Sequence, residues 1–591
     1  MLEALYKYAT DHELAVKPGF KHKNVKYYIS FSADGKFLGF DIVEEGTPQP
    51  LCPDIGTLAN GKTKSNIIVE KAEVIFNLPE KKKDGTFEYK REQKQSFYIE
   101  ALKEADKYDK KFGIAATGLE EQIEDIREAF EKIPKAKTSD FVSVKVDGIP
   151  LESSTGYLEW WDNFRRTLDT KKKPVSESRC FITGGLTEPV KTVSPVQGLS
   201  RVGGHTKGDS FICFDKDAYR SYGFEQAANA AVSEEAVTAV NAALSELMKQ
   251  APLPVAGAKS IHWFSEKTEN DVTEFLDYDF GLGGDDSESD KNEEAKEDEI
   301  RVRKMFGALE SNTLPTMPQN RYYMMSLSGV NGRVMVRSYD EGTYDELCSN
   351  LRLWYNDLAI NEPKHGYRYP KLFGVYSRLL KYSSDKKKLS EKIDKELSGI
   401  ASRIVYSIYH GTPLPDSVAA KALAYIRSDM YRSTDDDQRK VYIPDKTACQ
   451  IIKAWHNRKY RNKEDQIMDH LNENSPSKAY QVGRLMAVYA MIQNKALGDV
   501  GAGVVERYYT SACNSPALVM GKLATMSQYH LSKLKSDNQG YYVFYSKMLE
   551  EIMLKIGTSL PKTFDLKQQS EFALGYYFQR SQAYTGKKTE E

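Results

Sequence analysis

Three stretches of this chain hold residue types at spacings suited to chemistry, and all three point toward phosphate. The first, Gly56-Thr57-Leu58-Ala59-Asn60-Gly61-Lys62-Thr63, matches the phosphate-binding pattern G-x-x-x-x-G-K-[ST] letter for letter. That pattern works where a buried strand leads into it and a helix leaves it, so that backbone N–H groups and a helix N-terminus hold the phosphates. Here Pro48, Pro50 and Pro53 precede it, which a central strand does not accommodate. Asn66-Ile67-Ile68-Val69 follows and reads as strand. The flanks count against a P-loop-type nucleotide hydrolase using 56–63, which remains the enzyme alternative. The same glycine, lysine, threonine and asparagine residues suit a basic loop touching a nucleic-acid backbone or groove edge.

The second stretch is 198–208, GLSRVGGHTKG. Its four glycines let backbone approach a ligand closely, and Arg201, His205 and Lys207 supply cationic or donor groups. An ordinary surface loop is the competing reading. The third is 453–463, KAWHNRKYRNK, with five lysines and arginines, no acid, and Trp455 and Tyr460 interleaved. Basic charge with aromatic platforms is what a single-stranded nucleic acid needs. On a helix Lys453, Asn457 and Tyr460 share one face, and Arg458 and Arg461 share another. A solvated helix face is the competing reading.

Other chemistry is poorly represented. The nine histidines show no His-x₃-His or His-Glu-x-x-His spacing, and no Gly-x-Ser-x-Gly elbow occurs. The six cysteines, at 52, 180, 213, 348, 449 and 513, form no Cys-x-x-Cys pair. A zinc ribbon, a dithiol redox motif and a disulfide scaffold are therefore not expected, and a reduced, cytoplasmic protein is. No run of about 18 apolar residues is present to span a membrane, and the start Met1-Leu2-Glu3-Ala4-Leu5 lacks the basic and apolar regions of a signal peptide.

The elements that must position these stretches divide the 591 residues in an α+β pattern. Region 1–150 reads as β-rich. Residues 25–32 and 36–43 flank Ala33-Asp34-Gly35 as a hairpin, 66–78 and 141–147 alternate as strands, and 97–132 is helical. Region 151–345 is mixed. It holds a short helix at 157–168, strands and glycine-rich turns over 180–223, and a helix at 233–250 opened by Ser233-Glu234-Glu235. It closes with a second hairpin, 321–327 and 333–339, joined through Gly329-Val330-Asn331-Gly332. Regions 346–467 and 468–591 read as all-helical, the last a C-terminal bundle. Loops are expected at Pro413-Leu414-Pro415 and near 434–445, 473–477 and 536–540. The net charge is −1, but 283–299 alone carries nine acids and two lysines, so the rest of the chain is at +6. That segment reads as a solvated linker, the sharper alternative being an acidic mimic that competes for a basic groove.

Several separated motifs, in order, resemble the large-subunit family of the type I-C CRISPR surveillance complex, Cascade. They are Cys180-Phe181-Ile182-Thr183-Gly184, Asp209-Ser210-Phe211-Ile212-Cys213-Phe214 running into Ala218-Tyr219-Arg220-Ser221-Tyr222-Gly223, Gly483-Arg484-Leu485-Met486-Ala487, Arg507-Tyr508-Tyr509-Thr510-Ser511-Ala512, and Phe572-Ala573-Leu574-Gly575-Tyr576-Tyr577-Phe578-Gln579. The likeness spans nearly the whole chain, and Gly185 stands where the family has an acidic residue. In RNA-guided complexes the guide reads sequence by pairing while protein reads a short flanking motif, the PAM.

The resemblance implies a subunit without catalysis of its own, with no metal and no cofactor beyond the guide RNA. It would recognise the PAM on target double-stranded DNA, promote R-loop formation, hold the displaced strand and recruit a helicase–nuclease. Its other partners would be the Cascade backbone and guide-processing subunits. Lys62, Thr63, Lys64, Ser65 and Asn66 would then sense the PAM, since amides read base edges and lysines anchor phosphates. Arg201, His205 and Lys207 would flank the duplex or the guide's end. Lys453, Trp455, Arg458, Lys459, Tyr460 and Arg461 would track the displaced strand. The resemblance also implies small subunits translated from an internal start. Met468 would give 124 residues (591 − 468 + 1) carrying 14 basic and 11 acidic side chains. A scaffold that touches only protein partners is the remaining alternative.

Overall fold

The structure is a computed structural model, and it describes residues 1–44, 46–81, 87–168, 177–219, 224–251, 254, 256–266, 320–362, 366–383, 385–430, 443–462, 464–498, 500 and 503–583. The acidic segment 283–299, the motif residues Arg220 to Gly223, Lys463 and most of the loop near 434–445 lie outside them. The chain is α+β and forms two compact units, one of residues 1–196 and 210–246, the other of residues 197–209 and 247–591.

In the first unit the hairpin forms as its turn residues require. Strand β1 (Val25–Phe31) pairs antiparallel with β2 (Phe37–Ile42), and Gly35 takes the left-handed conformation between them, φ +84°. The segment read as a strand over 66–78 differs. Only Glu70–Lys71 (β3) is extended there, and Ala72–Ile75 is a helical turn. The cause is local. The Glu70 carboxylate accepts from both the backbone N–H of Asn66 (2.9 Å) and its Nδ2 (3.0 Å), winding 66–70 into a buried turn in which Ile68 has φ +66°. Strand β4 (Phe141–Val146) lies parallel to β1 and antiparallel to β3, giving the order β2-β1-β4-β3, and Ile149–Pro150 pairs on β4.

A parallel pair needs a long crossover. Here the crossover contains α2 (Glu92–Ala105), α3 (Lys110–Glu121) and α4 (Ile123–Glu131), into which the helical stretch 97–132 resolves. Alternate residues of β1 (Val25, Tyr27, Ile29, Phe31) and Val142, Val144 and Val146 of β4 share one core with Phe112, Ala115 and Leu119 of α3. Helix α5 (Leu158–Thr167) adds Trp160 and Trp161 to it. Helix α6 (Glu234–Gln250) starts as expected, the Ser233 hydroxyl accepting from the N–H of Ala236 at 3.1 Å.

In the second unit β5 (Lys259–Phe264), β6 (Arg321–Val330) and β7 (Arg333–Thr343) form an antiparallel sheet in that order. Asn331 and Gly332, with φ +51° and +78°, make the tight turn that an Asn-Gly pair favours. Helix α7 (Tyr344–Leu358) opens on a capping box, Thr343 Oγ1 accepting from the N–H of Glu346 while the Glu346 carboxylate accepts from that of Thr343.

There follow α8 (Lys386–Glu396), α9 (Ser398–His410), α10 (Asp416–Asp429), α11 (Lys446–Lys459), α12 (Lys478–Leu497), α13 (Val504–Asn514), α14 (Pro516–Asp537), α15 (Gln539–Ile556) and α16 (Leu566–Ala583). Pro413-Leu414-Pro415 is the turn between α9 and α10. One apolar core runs from Tyr322 and Met324 on β6 through every one of α7–α15 to Phe578 on α16. Helix α12 is its axis, with all of Ala479–Ile492 buried.

Candidate nucleic-acid interface

The loop at 56–66 belongs to the first unit. It leaves the short strand Leu51–Pro53, forms a 3-10 turn over Gly56–Asn60, and enters the buried turn at 66–70 without meeting a helix. The strand-to-helix geometry that a nucleotide-binding P-loop needs is missing from this stretch. Asn60, Gly61, Lys62 and Thr63 are exposed. The residues after them are anchors. Lys64 Nζ donates to the Leu168 carbonyl, and Ser65, with no exposed surface, donates its hydroxyl to the Lys94 carbonyl at 3.1 Å. Asn66 is buried, accepting from the N–H of Ile55 at 3.0 Å while donating to Glu70. From the other side Lys94 Nζ donates to the Ala59 carbonyl at 2.6 Å. Ser65 and Asn66 thus have their polar atoms spent inside the protein, and the exposed 60–63 tip presents donors without a side-chain partner among the described residues. Sequence patterning treats all five residues alike because it carries no burial information.

The glycine-rich loop belongs to the second unit and packs on the β6–β7 hairpin. A Cβ on Gly203 would stand 2.6 Å from the Gly329 carbonyl oxygen, and one on Gly329 would overlap Gly204. Two backbones therefore cross where only glycine fits. The fully buried Asp209 carboxylate accepts from the N–H of His205 (3.1 and 3.2 Å), and the His205 ring lies alongside Gly332. Arg201, His205 and Lys207 are all exposed around this mount. The burial of Lys259 lowers its pKa, and the nearby positive charge of Arg201 lowers it further.

The third stretch is placed otherwise than its sequence indicates. Helix α11 packs against α7, α10 and α16, and every residue from Ala448 to Arg458 is buried. Lys453 and Asn457, read as a nucleic-acid face, point into protein. Lys453 Nζ donates to the carbonyls of Asn356 (3.1 Å) and Asp357 (3.0 Å), and desolvation lowers its pKa to about 8. Asn457 exchanges two hydrogen bonds with the backbone of Ile467. Trp455 is fully buried, its indole N–H donating to Asp416 at 3.1 Å, so no base can stack on it.

Arg458 is 1% exposed and ion-paired with the buried Asp357 at 2.8 Å. Burial raises the Asp357 pKa, and Arg458 opposes that rise. At the end of the helix Lys459 pairs with Asp416, Arg461 donates to the Gly411 carbonyl, and the half-buried Tyr460 ring lies under the Lys567 ammonium at 4.5 Å. The stretch is a charged core, held by carboxylates and carbonyls that come from up to about a hundred residues away in sequence. Among the described residues of the stretch, Lys459, Arg461 and Asn462 are exposed.

Among the described residues no group of three or more His, Cys, Asp or Glu side chains is gathered to hold a metal ion, and no helix is long and apolar enough to cross a membrane. All six cysteines are free thiols. Gly483 and Gly575, from two of the separated motifs, face each other across α12 and α16. A Cβ on Gly483 would overlap the Phe572 carbonyl oxygen, and one on Gly575 that of Tyr480. The remote motifs are thus parts of one packed crossing.

No curated protein matches the chain as a relative. A family model described as CRISPR-associated protein (Cas_Csd1) matches residues 2–584, through both units and across all of the separated motifs. With a match of that extent, the chain belongs to the CRISPR-associated Csd1 family, in keeping with the large-subunit resemblance of its motifs.

Proposed function

We propose that this protein is the large subunit of an RNA-guided type I-C effector complex. In that role it binds target duplex DNA, recognises the PAM, promotes R-loop formation, stabilises the displaced strand and recruits a helicase–nuclease, and it breaks no bond itself. The observation that carries this reading is the family match over residues 2–584. The PAM-sensing element is the exposed tip Asn60-Gly61-Lys62-Thr63, an amide, a hydroxyl and an ammonium on a loop pinned by Lys64, Ser65, Asn66 and Lys94. A rigid mount suits base-edge reading, because less conformational entropy is lost when the loop docks. Guide RNA, the backbone and guide-processing subunits, and small subunits made from an internal start complete the assembly.

The test is duplex binding by the reconstituted complex, with cognate and non-cognate flanks. The double variant K62A/T63A is expected to fold normally, because both side chains are exposed, and to lose most of its discrimination between flanks. Retained discrimination removes the tip from this role. Magnesium-dependent nucleotide binding by the isolated chain would favour the hydrolase alternative instead.

A further inference from the structure

The hairpin on which the glycine-rich loop is mounted carries two arginines that no motif singled out. Strand β7 is the edge of its sheet, and Arg333, Met335 and Arg337 alternate along its exposed face. Arg337 is the extra residue of a β-bulge. Ser326 pairs with Ser338 and Leu327 with Val336, which leaves Arg337 unpaired in the ladder. A bulge re-aims a side chain. Here it turns Arg337 toward the hairpin tip, where its Nε donates to Ser328 Oγ at 2.7 Å, beside the Ser328–Met335 pair. Ser328 is 1% exposed, so this anchor is fixed in the sheet. Nη1 and Nη2 have no partner among the described residues. A guanidinium held by one nitrogen, with its other donors outward, is pre-organised for a phosphate oxygen pair.

The loop brings further donors to the opposite face of the same tip, because Gly329 and Ser328 are successive strand residues and point to opposite sides. Gly203 and Gly204 cross Gly329, the partner of Val334, and the His205 ring lies against Gly332, next to Arg333. Arg201 and Lys207 flank the crossing, and neither pairs with a carboxylate among the described residues. Asp209, at the end of the loop, is fully buried and taken up by His205.

We propose that the β6–β7 hairpin tip and loop 198–208 form a single clamp on the sugar–phosphate backbone of duplex DNA, with Arg337 as the fixed anchor on one face of the ribbon and Arg201, His205 and Lys207 of the loop on the other. Duplex is favoured over an unstacked strand because the exposed apolar side chains at the tip are Val330 and Met335, and the one ring there among the described residues, His205, is held by the buried Asp209 and is no run of platforms for successive bases. A two-stranded β-ribbon also matches the width of a major groove. The clamp rests on the reading of the protein as a DNA-binding Cascade subunit and extends it to residues outside the PAM loop.

The experiment measures duplex affinity of the guide-loaded complex against salt concentration, for wild type, R337A, R337K and R201A/K207A. All three substituted positions are exposed, and melting temperature verifies folding. The expected result is weaker binding to cognate and non-cognate flanks alike, with the slope of log K on log salt less steep by about 0.9 for each phosphate no longer neutralised. R337K is expected to fall between wild type and R337A, because lysine keeps the charge without the fork. Unchanged affinity and slope in R337A and R201A/K207A, while K62A/T63A is impaired, overturns the clamp and leaves the proposed function standing. Loss of guide RNA from the R337A complex, with duplex affinity per loaded complex intact, also overturns it by assigning the site to RNA. Self-association of R337A with unchanged DNA binding overturns it in favour of simple edge-strand protection. Absence of duplex binding by the wild-type complex is the distinct failure, that of the functional reading itself.

Discussion

Arg458 shows how little residue type alone says about role. In the sequence it stands between lysines, arginines and aromatics, as a nucleic-acid contact would. In the fold its guanidinium is enclosed by Asp357, the Ser407 hydroxyl and carbonyl, and the Trp354 ring face at 5.2 Å. Removing one member of a buried ion pair leaves the other desolvated and unpaired, at a cost of about 3–5 kcal/mol. R458A is therefore expected to lower the melting temperature sharply, and any fall in DNA binding should track unfolded protein. A normally melting R458A that binds DNA weakly would return Arg458 to the interface. Lys62 is the opposite case, exposed with no partner for its ammonium among the described residues, and its replacement should be silent in melting.

At the scale of elements, the crossing of α12 and α16 turns a usual preference around. Alanine in a helix is favoured over glycine by about 1 kcal/mol. At Gly521, on the exposed side of α14 with open space at the Cβ position, G521A is expected to follow that rule and stabilise the chain. At Gly483 the added Cβ meets backbone of α16, which cannot swing aside as a side chain can. G483A is expected to destabilise by about 1–3 kcal/mol or more, as overpacking does. Thermal melts of the pair check this, and equal shifts in both would show that the two helices do not approach so closely. The two-residue β3 teaches the same lesson in a strand. β-branched Ile67-Ile68-Val69 have strand propensity, but a single buried Glu70 supplies enough hydrogen bonds to wind them into a turn.

At the scale of the molecule, the helices on either side of Met468 share one core. His456 of α11 lies 3.1 Å from Glu571 of α16, Lys567 pairs with Asp465 at 2.8 Å, and Arg427 of α10 donates to Gln569 at 2.7 Å. Met468 itself sits exposed in the connection before α12, whereas Met486 and Met491 are inside that helix. Expression of the unmodified gene is expected to give a second product starting at Met468, identified by its mass, and detection of full-length chain alone would discard it. Such a product lacks the partners of Glu571 and Gln569 on α10 and α11. It is expected to melt below the same helices in the full chain unless another surface covers that face, and calorimetry of both species makes the comparison.

Much was legible in the amino-acid order. The α+β class, both hairpins with their Asp-Gly and Asn-Gly turns, the capped start of α6 and the helical second half follow from period, turn chemistry and caps, which act over a few neighbouring residues. The separated family motifs were legible for the same reason, as short patterns in a fixed order. Burial is set by distant partners. Asp357, Asn356 and Glu571 draw the basic helix inward, Glu70 and Lys94 spend polar atoms flanking the exposed 60–63 tip, and a one-residue bulge aims Arg337 at Ser328. Which cations remain for a ligand is a matter of solvent access and long-range pairing, and only the tertiary structure decides that.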